Sequence, residues 1–160
     1  MTIKHMMAKF NRFSWINCGT LLGWWRQCSL IPNDPDIDMV HWNSLDLYPQ
    51  IIKEIMDHPE IYRFIKATID YGPLPEILGK QEGFYVKTVI KKGKSVDLYF
   101  NYKHKVYDTR HHAGRLEKFD FTDNVCSADL HGYLVYVPCT DAKIRELNLM
   151  WYGQNYMSPK

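Results

Sequence analysis

Apolar and polar residues change period along the chain, and each change marks an element. Ser14 to Cys18 is a short, largely apolar run that predicts a strand. Gly19 and Thr20 follow as a turn and helix start, with Thr20 as N-cap, and Leu21 to Gln27 predicts a short helix. The cluster Pro32-Asn33-Asp34-Pro35 predicts a turn. Asp36 to Trp42 then alternates, with Ile37, Met39 and His41 on one face and Asp36, Asp38 and Val40 on the other, the period of a strand. Ser44 to Met56 switches to helical spacing through Leu47, Ile51, Ile52 and Ile55, and Asp57-His58-Pro59 ends it.

Further on, Ile61 to Ile69 fits either period, and Gly72, Pro73 and Pro75 mark a loop. Glu82 to Ile90 and Ser95 to Tyr102 are rich in aromatic and β-branched residues and are joined at Lys91-Lys92-Gly93-Lys94, which predicts an antiparallel pair. His131 to Pro138 predicts another strand. Asp141 to Met150 predicts a helix capped by Thr140 and closed near Tyr152-Gly153. The segment through Phe13 reads as a helix feeding the core. The pattern is α+β, a central sheet with flanking helices, and 160 residues suit one domain over 1–160. Strand order is not carried by this pattern.

Composition narrows the class. The chain is 46% hydrophobic and 14% aromatic, enough for one core and too much for a disordered chain. A formal charge of +2 does not by itself imply nucleic acid. Cys18, Cys28, Cys126 and Cys139 form no Cys-x-x-Cys pair, so neither a zinc ribbon nor a thioredoxin motif is indicated, and disulfides are permitted but not required. Cys18 and Cys28 read most simply as buried thiols. No stretch approaches the roughly twenty apolar residues that span a bilayer. Met1 to Phe10 lacks the apolar run of a signal peptide.

The candidate chemistry lies in three carboxylates. Asp36 and Asp38, two apart on a strand, point the same way. Two adjacent carboxylates repel, and a hard divalent cation such as Mg²⁺ relieves that repulsion. Asp97, set among apolar residues in Val96-Asp97-Leu98-Tyr99-Phe100, needs a partner, and a shared metal would supply one. An Asp-x-Asp pair alone more often marks a solvated strand face, and Asp97 equally fits a lysine or water at a sheet edge. Gly19 at the strand–helix junction permits close approach of backbone to a ligand, and a helix start favours phosphate.

Taken together, Gly19-Thr20-Leu21-Leu22-Gly23-Trp24-Trp25-Arg26, Ile31-Pro32 and Asp36-Ile37-Asp38-Met39 resemble the N-terminal signature of the LicD/fukutin family. Val96 to Phe100 is similar to its second acidic motif. Gly132 to Pro138 and Leu147 to Gly153 resemble its closing segment, and Cys28 resembles the fukutin branch. The resemblance implies a nucleotidyltransferase-like mixed sheet. It implies metal-dependent transfer of a phosphocholine- or phosphoribitol-like group from a CDP-linked donor to a glycan or glycoprotein acceptor. By position it makes Asp36, Asp38 and Asp97 the catalytic and metal-holding residues, with Mg²⁺ or Mn²⁺. Gly19 and Thr20 become the phosphate-binding turn. Arg26 is a candidate phosphate clamp one turn into the helix, or else a surface ion pair. Bacterial members carry a longer acidic run, so Pro35 leaves the role of Asp34 in doubt. The secretory pathway is implied by the resemblance alone.

Other readings stand beside this one. Trp24 and Trp25 fit base stacking or, more commonly, packing of a short helix. His111, His112, Cys126 and His131 would make a zinc set of unfamiliar spacing. Lys91, Lys92, Lys94, Lys103, His104 and Lys105 near Tyr99, Phe100 and Tyr102 fit a single-stranded nucleic-acid surface or a charged hairpin tip. An inactive scaffold of the same fold is the third class.

Overall fold

The computed structural model describes residues 9, 14–41, 48–69, 84–90, 95–100, 102–104, 107–112, 115–119 and 124–158. The expected N-terminal helix, Trp42, the start of the second helix at 44–47, the loop at 70–83 and the hairpin turn at 91–94 lie outside them.

Strand β1 (Ser14–Ile16) leads into helix α1 (Cys18–Gln27), then β2 (Asp36–His41), helix α2 (Tyr48–Asp57) and strands β3 (Tyr62–Ile69), β4 (Phe84–Ile90) and β5 (Ser95–Phe100). The chain continues through β6 (Tyr102–His104), β7 (Tyr107–His112), β8 (Arg115–Phe119), β9 (Val125–Leu130) and β10 (Tyr133–Pro138) to helix α3 (Asp141–Tyr152). Five strands form a mixed sheet in the order β1-β2-β5-β4-β3, in which only the β2–β5 pair is parallel. β6, β7 and β8 form an antiparallel sheet, and β9 with β10 a hairpin. The ambiguous run before residue 70 is thus a strand, explained by its pairing with β4.

The first crossing, from β1 through α1 to β2, sets the rest. α1 starts at Cys18, three residues earlier than its sequence suggests, and Asn17 rather than Thr20 stands at the N-cap. It ends at Cys28 in the left-handed conformation, with the Cys28 and Ser29 amides reaching back to the Trp24 and Gly23 carbonyls. That closure lays backbone across Gly23: a Cβ there would meet the Ser29 carbonyl oxygen at 2.6 Å, so only glycine fits. Pro32 and Asn33 (φ 64°) then occupy the middle of a turn closed by Asp34 N–H to Ile31 O at 3.2 Å, a position where asparagine tolerates positive φ.

Trp15, Ile16, Leu21, Val40, Val137, Ile144 and Leu147 form one buried cluster that ties β1, α1 and β2 to β10 and α3. α3 buries Ile144, Leu147 and Asn148, an i, i+3, i+4 stripe, and Thr140 caps it by accepting from Lys143 N–H. In α2 Ile51 and Ile55 are buried, while Ile52 is half-buried. His131 (φ 55°) and Gly132 (φ 79°) make the two-residue turn of the β9–β10 hairpin, so the expected strand begins at Tyr133. Among the described residues no helix is long and apolar enough to cross a membrane.

Candidate active site

The parallel register of β2 and β5 sets Asp38 directly against Asp97 and Asp36 against Ser95. Neighbouring strands run about 4.8 Å apart, and paired residues share a face, so Asp36, Asp38 and Asp97 occupy one patch of the sheet. Asp38 and Asp97 are 8% and 6% exposed, and Asp36 is half-buried. The turn after α1 adds a fourth carboxylate. An ideal Cβ on Gly19 would lie 2.6 Å from Asp34 Oδ2 and 3.6 Å from Asp38 Oδ2. Asp34 therefore reaches over the bare glycine toward the same patch. The sequence left Asp34 in doubt because of Pro35, and the positive φ of Asn33 is what turns it inward.

Asp38 is gripped at three points. Its carboxylate accepts from Gly19 N–H at 3.1 Å, its own N–H donates to Thr20 Oγ1 at 2.9 Å, and its carbonyl accepts from Asn17 N–H at 3.1 Å. Asn17 makes no side-chain cap bond, so Asp38 supplies from another strand the anionic cap that α1 lacks locally. Gly19 thus lies in the first helical turn, not in a turn before it, and its N–H is directed to Asp38. Thr20 is 1% exposed and serves β2 rather than capping its own helix. Arg26 is half-buried in the last turn of α1, roughly 10 Å along the axis from Gly19, where a cation complements the helix dipole.

Burial first, then the charges of Asp36, Asp97 and Asp34, push the Asp38 carboxyl up from 3.8 to about 7, and the Gly19 N–H only partly offsets them. Crowded oxygen donors of this kind suit a hard divalent cation such as Mg²⁺ or Mn²⁺. Among the described residues no three His, Cys, Asp or Glu side chains close into a ready-made cage.

The remaining candidates fall elsewhere. Cys126 is bonded to Cys139 across the β9–β10 hairpin, Cα atoms 4.8 Å apart, and so is no zinc ligand; a disulfide, not a metal, accounts for it. Cys18 and Cys28 remain thiols, Cys18 buried but Cys28 exposed, because the left-handed cap turns it away from the core. The side chains of His111 and His112, and the basic residues at 91, 92, 94, 103, 104 and 105, lie outside the described side chains. Trp24 and Trp25 are both half-buried against the core cluster, and both also line a cleft toward the β9–β10 hairpin.

Comparison with known proteins bears on the family and the fold. Residues 11–140 match the family described as LicD/FKTN/FKRP, nucleotidyltransferase domain. The chain is 32% identical over 163 residues to the uncharacterized protein T07A5.1 of Caenorhabditis elegans, covering 93% of this chain and 40% of that protein. It is 27% identical over 164 residues to mouse ribitol-5-phosphate transferase FKTN, covering 99% of this chain and 31% of that protein. The chain therefore spans well under half the length of these relatives. The crystal structure of the lincosamide antibiotic adenylyltransferase LnuA, with lincomycin bound, superposes with a TM-score of 0.51 at 12% identity, over 89% of this chain and 80% of that one. The likeness shows the shared nucleotidyltransferase fold. By the match across 11–140, the chain belongs to the LicD/FKTN/FKRP nucleotidyltransferase-domain family.

Proposed function

We propose that this domain transfers a phosphate-linked group, phosphocholine- or phosphoribitol-like, from a CDP-activated donor to a glycan hydroxyl. The observation that carries the reading is the β2–β5 register, which sets Asp38 beside Asp97 with Asp36 and Asp34 close enough to shift its titration. Asp36, Asp38 and Asp97 would hold a divalent cation, with Asp34 as a further oxygen donor, and the cation would supply neutralising charge for a diphosphate. Asp97 orients the acceptor hydroxyl and takes its proton. Gly19 and Thr20 fix Asp38, and the diphosphate meets the start of α1 through that carboxylate patch rather than through a bare amide. Arg26 is a secondary candidate for a phosphate oxygen. The names of the fukutin relatives, ribitol-5-phosphate transferases, favour phosphoribitol over phosphocholine.

A donor screen tests this reading. The chain is incubated with Mg²⁺ or Mn²⁺, an acceptor glycan and a panel of nucleotide-linked alcohols, and nucleoside monophosphate release is followed. The expected result is CMP release from a CDP-alcohol, lowered at least about 100-fold by Asp36→Ala. CMP release that Asp36→Ala leaves unchanged would show that the turnover does not come from this site. A folded chain that binds single-stranded nucleic acid with steep salt dependence, and ignores Asp36→Ala, would favour the basic, aromatic surface instead.

A further inference from the structure

A second feature lies beyond the carboxylate patch. Trp24 and Trp25, on the last turns of α1, form one wall of an open cleft of about 500 Å³. The hairpin residues Ser127 and Asp129, the Cys126–Cys139 disulfide and Asp141 at the start of α3 form the rest of its polar rim. That volume falls within the range of small-molecule sites, about 300–1,000 Å³. Both indoles are fixed at their edges: Trp24 Nε1–H donates to the Asp129 carbonyl at 2.8 Å and Trp25 Nε1–H to Asp141 Oδ1 at 2.7 Å.

The charge balance of the cleft selects its ligand. Asp141 is ion-paired to Arg145 at 2.6 Å, and this bond first, then the Trp25 N–H, lowers its pKa. Arg145 in turn lies over the Trp25 ring at 5.1 Å. One Asp129 oxygen accepts from Gly132 N–H at 3.2 Å. Asp141 is therefore a carboxylate whose charge is answered by Arg145, and both carboxylates offer acceptor oxygens. Rigid indole beside such acceptors suits a neutral, hydroxyl-rich ring, whose C–H faces stack on the indole while its hydroxyls donate to carboxylate and carbonyl oxygens. A cation would compete with Arg145, and an anion would meet two carboxylates. Helix α1 carries residues of both the cleft and the support of the carboxylate patch. Thr20, which holds Asp38, and Trp24 are four residues apart on one strip of α1, roughly 6 Å along its axis.

We propose that this cleft binds a neutral sugar residue of the acceptor glycan and so presents its hydroxyl toward the carboxylate patch; the acceptor role rests on the transferase reading above. The test uses the full chain and tryptophan fluorescence, titrated with methyl glycosides of galactose, mannose, N-acetylglucosamine and N-acetylgalactosamine, and with choline as a cationic control. Saturable quenching or enhancement by at least one glycoside is expected, and none by choline. Trp24→Leu and the surface variant Ser127→Trp, which fills the cleft without touching the core, should each weaken glycoside binding about tenfold. Asp36→Ala should leave it unchanged. No glycoside response, or one that Ser127→Trp leaves intact, overturns the proposal while leaving the metal and donor reading standing. A response to choline that exceeds every glycoside overturns it in favour of a cation site. Glycoside binding without CMP release from any donor would keep the cleft as a sugar site and sink the transferase reading instead.

Discussion

Asp38 concentrates the electrostatics of the domain. Its carboxyl titrates near 7 in the fold and near 3.8 when unfolded, so between those values the folded state holds a proton that the unfolded chain has released. The stability this adds is present below about pH 4 and lost as pH rises through about 7. His41 acts in the opposite sense: burial lowers it from 6.5 to about 3, so its contribution is lost as pH falls below about 6.5. The two oppose each other over much of this window and flatten a simple melting curve against pH. Asp38→Asn, which cannot titrate, isolates the first. The Tm of the wild type relative to this variant should fall between about pH 4 and pH 7, measured without divalent cation. A difference that stays constant with pH would remove the crowding argument. Thr20→Val removes the acceptor for Asp38 N–H inside a fully buried site. Thermal denaturation should show a loss of about 1–3 kcal/mol, and Mg²⁺ affinity should fall about 10–100-fold. A variant with wild-type Mg²⁺ affinity would show that Thr20 does not position Asp38.

Among the elements, the β9–β10 hairpin and α1 govern how the site is supported. The Cys126–Cys139 bond closes a loop with sequence separation 13 and stands beside the Cys139 N–H to Asn124 O bond at the hairpin base. Loops of that size give about 2–4 kcal/mol. The double variant Cys126→Ser/Cys139→Ser should lose that much in denaturant unfolding, and reductant should lower the wild-type midpoint but not the variant's. A midpoint insensitive to both would mean that the hairpin holds without its bridge. At this scale sequence and structure part company in instructive ways. Strands β2, β4, β5 and β10 are legible from alternation or from their content of β-branched and aromatic residues. β6 to β9 are not, because polar runs such as Tyr107–His112 and Arg115–Phe119 take their strand state from cross-strand pairing rather than from a local period. The start of α1 is not legible locally because its cap comes from Asp38, nineteen residues from the Gly19 N–H it accepts.

At the scale of the whole molecule, one fact of topology makes the site. β1, α1 and β2 are consecutive, yet β2 pairs with β5, about sixty residues on, as its parallel neighbour. Asp36 and Asp38 were readable as a pair from their spacing, and Asp97 as a carboxylate needing a partner. Nothing local could say that Asp97 would stand opposite Asp38, since register is a long-range property. The part of Asp34 was hidden for a similar reason: it depends on a turn at Asn33 and on the empty space above Gly19. The central claim is that carboxylates from β2 and β5 together hold one divalent cation with a CDP-linked donor. Titration of Mn²⁺ into the chain with a CDP-alcohol present, followed by electron paramagnetic resonance, tests it most directly. One saturable site is predicted in the wild type, weakened at least about tenfold by Asp38→Asn and equally by Asp97→Asn. Mn²⁺ binding that survives Asp97→Asn at full strength would contradict it.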